Sequence, residues 1–184
     1  MSLLSKAVRT GVAGMMVSGF LLLVGGAEPA SATKTVAVPV CSPSSLVLTV
    51  GKTGTAAGTE YTNLRWRNHS GHTCFIPPVS SAQSVVGRRH TPVGLPAGKL
   101  IVAGRGSGVI LVARKGVASV EYAVGTALNY PNARCIPRYS DGVLVTFTFL
   151  VTKWSLYFPM ARRLVCTKLV STSISGVALG THYP

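Results

Sequence analysis

The chain is poor in acidic residues: four Asp and Glu stand against 18 Lys and Arg in 184 residues, a formal net charge of +14. That shortage excludes most chemistry that runs on carboxylates. Glycoside hydrolysis needs two of them about 5 to 9.5 Å apart, and a Ser-His-acid triad needs one to orient its base. From residue 33 onward only Glu60, Glu121 and Asp141 remain, scattered among turns and a strand. The Gly-x-Ser-x-Gly elbow is missing as well; Gly104-Arg105-Gly106-Ser107-Gly108 has the glycines without the register. No enzyme is expected, and an unrecognised hydrolase is the lesser alternative.

Long basic runs are absent too. None exceeds two residues (Arg88-Arg89, Arg114-Lys115, Arg162-Arg163), which excludes a nucleic-acid-binding tail and leaves no specific nucleic-acid site. Closely spaced cysteine pairs are lacking, whereas structural zinc sites draw on cysteines about two to four residues apart. His69, His72 and Cys74, with His90 or His182, could be drawn as a ligand set. Yet His-x-x-His in a Ser/Gly turn has no helical face to make it converge, so neither a metal nor another cofactor is expected.

What is present begins with the N-terminus. Lys6 and Arg9, an apolar stretch over residues 11–27 and the triplet Ala30-Ser31-Ala32 read as a secretory signal peptide over residues 1–32. A retained membrane anchor is the alternative, because the stretch approaches the roughly 18 to 20 residues a span requires. Residues 33–184 then form a single domain, secreted or associated with the cell wall, with no membrane span after cleavage. Its four cysteines, Cys41, Cys74, Cys135 and Cys166, suit an oxidising compartment. Three connectivities are open, and spacing favours Cys41 with Cys74 and Cys135 with Cys166.

The domain is strongly cationic, so it carries a field that recruits polyanions and weakens with salt. Wall polymers, acidic polysaccharides and anionic headgroups are the candidate partners. The alternative is a structural or surface-exposed protein whose charge only keeps an apolar-rich chain soluble.

Short β-branched runs broken by Gly, Pro, Ser and Asn fill the rest, at residues 45–50, 61–67, 73–76, 83–86, 100–103, 108–113, 118–124, 143–150, 164–169 and 174–179. No helical period interrupts them, so the pattern predicts an all-β antiparallel sandwich. In the second run Thr62, Leu64 and Trp66 share one face, and Leu64 and Trp66 should enter the core. Tyr61, Arg65 and Arg67 share the other with Asn63 and form a cationic, aromatic stripe, which Arg138-Tyr139 and Arg162-Arg163 could extend. Such a face binds sugars by stacking or anions by charge. The run at 143–150 is apolar almost throughout and reads as a central strand, buried on both sides or covered by a loop. Residues 93–108, rich in Gly, and the loop-like residues 129–138 are the candidate binding edges.

A resemblance adds to this reading. Cys41, Leu46, residues 54–58, Leu64-Arg65-Trp66 and Asn68-His69-Ser70-Gly71-His72-Thr73-Cys74 resemble the opening of domain-of-unknown-function family 4232, found in secreted actinobacterial proteins. The similarity continues through Lys115-Gly116-Val117-Ala118-Ser119 and Cys135-Ile136-Pro137 to Cys166 and the strand at 174–179. Two places depart from it: Phe75-Ile76-Pro77-Pro78 replaces the family's Leu-x-Gly-x-Pro run, and the glycine-rich residues 104–108 are an addition. The resemblance implies an immunoglobulin-like β-sandwich with two disulfides and no known activity. In a protein of that kind the sequon Asn68-His69-Ser70 is better read as a turn, with Asn68 tolerating left-handed backbone.

Overall fold

Alternation of apolar and polar residues, interrupted by residues that accept positive φ, yields an almost entirely β architecture. The computed structural model describes residues 37–106 and 108–180. The signal-peptide reading of residues 1–32 lies outside them, as do His182 and Ser107.

One sheet begins with β1 (Leu46–Ala56) and β2 (Thr59–Asn68), an antiparallel hairpin turning at Ala57 and Gly58, both at positive φ. Two left-handed residues between strands match the right-handed strand twist, which is why the hairpin closes there. Two short strands follow, β3 (Cys74–Ile76) and, in the second sheet, β4 (Val79–Val86), which continues into β5 (Thr91–Pro92). Strand β6 (Gly98–Leu100) returns to the first sheet, and β7 (Val109–Leu111) pairs with β3 as a separate two-stranded ribbon. Strand β8 (Val117–Gly125) pairs antiparallel with β2 and forms the centre of the first sheet.

The second half of the chain supplies β9 (Pro137–Phe149) and β10 (Thr152–Cys166), which complete a second sheet ordered β10-β9-β4-β5. Strands β11 (Thr172–Ser175) and β12 (Ala178–Leu179) pair with β8. Between β8 and β9 lie two short helical turns, Ala127–Asn129 and Asn132–Cys135.

Both sheets contribute to one core. Leu64 and Trp66 of β2 point into it as expected, with Val120 and Tyr122 of β8 facing Val143, Val145 and Phe147 of β9. Trp66 meets Phe147 edge-on at 5.4 Å between ring centroids, and Phe147 stacks on Trp154 at 4.4 Å. Tyr122 and Ser84 share a hydroxyl hydrogen bond of 2.6 Å across the sheets. Burial pushes the Tyr122 phenol above its ordinary value against that bond. The disulfides join Cys41 to Cys74 and Cys135 to Cys166, the pairing that spacing favoured.

Strand β9 is central, flanked by β10 and β4, and buried on both faces around Val145 and Thr146. Its end is not. The apolar run carries past the core, Phe149 pairs with Thr152, and Leu150 and Val151 form the hairpin loop, 84% and 100% exposed. Sequence patterning also missed residues 152–163 of β10, the longest described strand, catching only its end in the run at 164–169, because Pro159 and the Arg162-Arg163 pair break the alternation. A register shift between Pro159 and Arg163 is the structural counterpart of that break.

Candidate binding surface

The outer face of β2 carries Tyr61, Asn63, Arg65 and Arg67, paired on β8 with Ala123, Glu121, Ser119 and Val117. The alternation is the one expected, but the stripe is not freely offered. Asn63 is buried, and Arg65, half-buried, donates from Nε to the Asn63 carboxamide oxygen at 2.7 Å. Only Arg67 of the two arginines stands fully exposed. Beside them Glu121 is buried, and its backbone N–H donates to Ser175 Oγ at 2.8 Å. Arg105, from the glycine-rich loop, donates to the same hydroxyl at 3.1 Å. Burial lowers the Arg105 pKa, and the Glu121 charge opposes that shift. This face is largely occupied by polar contacts within the fold.

A different set of residues forms an open site at one end of β9 and β10. Leu164 pairs with Tyr139, so these two and the alternate residue Arg162 project to one side. The Arg162 guanidinium lies 4.0 Å from the centre of the Tyr139 ring, both side chains being exposed. An arginine on an aromatic face is held by the ring quadrupole while its N–H edges stay available. The pair borders a recess of about 300 Å³ whose opposite wall is residues 124–128, with Leu128 standing 75% exposed.

Arg163 turns the other way. Its guanidinium forms an ion pair of 2.6 Å with Glu60 on β2, at 11% exposure of the arginine side chain, and reaches Thr62 Oγ1 at 3.4 Å. It links the two sheets and, with Glu60, lines the recess. Arg138 pairs with buried Val165 and, by alternation, falls on the opposite side of β9 from Tyr139. The six residues read as a single face therefore separate: Tyr61, Arg65 and Arg67 on one sheet, Arg138, Arg162 and Arg163 on the other. Only Arg162 and Arg163 line the recess with Tyr139. Leu128 gave no sequence signal, because it lies in a short helical turn that only the fold brings alongside β10.

Of the two expected binding edges only the first, residues 93–108, lines a recess; none of residues 129–138 does. Residues 97–106 line a second recess of about 320 Å³ with Ser80, Ser81 and Ile174. The wall of the recess described above comes instead from residues 124–128, just before the second expected edge.

The segment Asn68-His69-Ser70-Gly71-His72-Thr73-Cys74 serves the fold. Asn68 is fully buried, and its side-chain amide donates to His72 O at 2.7 Å and, at 3.3 Å, to Leu111 O and Val112 O. Its carboxamide oxygen accepts from Ser70 N and Ser70 Oγ. Asn68 is not among the residues at positive φ, so the left-handed reading gives way to a side-chain hub. The His69 ring donates from Nε2 to Ser44 O at 2.9 Å, and His90 stacks on Tyr157 at 3.9 Å. Cys74 is engaged in its disulfide. Among the described residues no group of three or more His, Cys, Asp or Glu converges. No described helix is long and apolar enough to cross a membrane.

Compared with known proteins, the chain matches no family model, no curated protein and no solved structure.

Proposed function

We propose that the protein is an exported, non-enzymatic binding domain of immunoglobulin-like sandwich type. It engages anionic polymers at or near the cell envelope. The observation that carries this reading is the exposed Arg162–Tyr139 pair bordering the recess beside Leu128. A carboxylate, phosphate or sulfate would meet the outward edge of the Arg162 guanidinium, while a sugar ring or polymer backbone lies against Tyr139 and Leu128. Arg163 is neutralised by Glu60, so Arg162 is the cation of this site that a ligand can use. The net charge of +14 supplies attraction at longer range. The two disulfides suit an extracellular setting, and the resemblance to family 4232 is in keeping with both.

The test is retention of the folded protein on heparin and on purified anionic wall polymer, eluted with increasing salt. Wild type should be held and released as salt rises. Arg162→Gln should elute clearly earlier, whereas Arg65→Gln, whose partner is Asn63, should move little. Retention that ignores salt, or an Arg162→Gln profile superimposed on wild type, would overturn the reading.

A further inference from the structure

The far end of the β9–β10 hairpin presents a surface that the polymer reading does not use. Leu150 and Val151 form its loop at 84% and 100% exposure, and Phe149 before them is 38% exposed. Hairpin loops of two residues favour Gly, Asn and Asp, which accept positive φ and are well solvated. Here the first loop residue is Leu150, at φ 53, a left-handed conformation that costs an L side chain. An unfavourable backbone carrying an apolar side chain into water points to a function outside the fold.

The apolar surface continues beyond the loop. The Phe149 ring meets the Phe75 ring of β3 at 5.4 Å, and Phe75 pairs with Ile110 of β7. Alternation puts Val112 on the same face as Ile110, and these two are 54% and 50% exposed. The outward side of the β3–β7 ribbon, where polar residues would be ordinary, is thus apolar and contiguous with the hairpin tip. Exposed cations lie next to it in the chain: Lys153 just beyond the loop, Arg114 and Lys115 just beyond β7. The acidic side chains of the described residues lie elsewhere. Glu60 is paired with Arg163, Glu121 is buried, and Asp141 accepts from Gly87 N near the other end of β9.

We propose that this tip docks the protein on an anionic phospholipid bilayer, with Leu150 and Val151 entering the acyl boundary and Lys153, Arg114 and Lys115 meeting the headgroups. Charge complementarity selects this occupant. A protein of net charge +14 is drawn to an anionic surface and repelled by a second copy of itself. The shape agrees, because the tip is a protrusion that suits insertion between headgroups rather than a groove awaiting a peptide.

The full chain carrying Val151→Trp places a reporter at the tip itself, where residues 1–36 cannot mimic its response. Mixed with phosphatidylcholine vesicles containing 30% phosphatidylglycerol, its emission, after subtraction of wild type, should shift to the blue and be quenched by brominated lipid chains. The paired variant Leu150→Asn/Val151→Ser, which suits the turn and should fold normally, should partition at least tenfold more weakly. Lys153→Gln should weaken partition by about fivefold, and high salt should act in the same direction. Arg162→Gln should leave all of this unchanged, which separates the lipid site from the polymer site. Emission unmoved by lipid would overturn the proposal. So would a blue shift already present in buffer, which would show the tip covered by residues 1–36 or by another copy, or equal partition of the paired variant and wild type.

Discussion

Asn68 shows how much one side chain can organise. Its amide joins the end of β2 to the turn at His72 and to the segment leaving β7, and every such partner is a backbone carbonyl. Replacing it by Ala would remove these donated bonds, although His72 O keeps Ser70 Oγ and Val112 O keeps Gly116 N as donors; each hydrogen bond lost costs about 0.5–1.5 kcal/mol. Asn68→Ala should therefore lower unfolding stability by about 1–3 kcal/mol, read from the urea midpoint at unchanged slope. A change below about 0.5 kcal/mol, the range of ordinary surface substitutions, would refute the hub. The turn itself was legible in Asn-x-Ser-Gly. The role of Asn68 was not, because Leu111 and Val112 lie 43 and 44 residues away and meet it only when β7 lies beside β3.

Among the elements, the β9–β10 hairpin separates what patterning reveals from what it hides. The apolar run at 143–150 marked a central strand, but its lack of a polar face gave no sign that Val143, Val145 and Phe147 are the residues that enter the core. The loop left no mark, since Phe149-Leu150-Val151-Thr152 holds none of the residues that punctuate turns. Only pairing of β9 with β10 shows that the run reverses there. If Leu150 is kept for contact rather than for folding, Leu150→Gly should relieve the left-handed backbone with little loss of packing. A gain of about 0.5–1 kcal/mol is expected once the added flexibility of the unfolded chain is subtracted. Thermal unfolding should rise while lipid partition falls, a stability gain opposed by a functional loss. A destabilised Leu150→Gly protein would show that Leu150 contributes to the fold after all.

On the scale of the whole molecule, composition announced the cationic charge and spacing announced the disulfide pairs. Neither could show that Arg163 turns inward while its neighbour Arg162 turns out. That division depends on Glu60, which reaches Arg163 only because the two sheets pack together. The same packing gives the disulfides different duties. Cys41–Cys74 ties the first described residues to β3, where Val40 bridges Phe75 and Cys41 N donates to Phe75 O. Cys135–Cys166 packs with Ala127 in a small cluster of its own, against Leu164. Ala127 and Leu164 also line the recess bordered by Arg162 and Tyr139. Each bridge closes a loop of similar length, 33 and 31 residues. Removing either pair as Cys→Ser should then cost a similar 3–4 kcal/mol or so in the chain-entropy picture. Their effects on binding should differ. At a temperature where both variants remain folded by circular dichroism, the Cys135→Ser/Cys166→Ser protein should elute from heparin at lower salt, because its recess wall is no longer anchored. The Cys41→Ser/Cys74→Ser protein should keep the wild-type elution. Equal elution of both would mean that the recess does not depend on its neighbouring bridge and that Arg162 binds from the β10 strand alone.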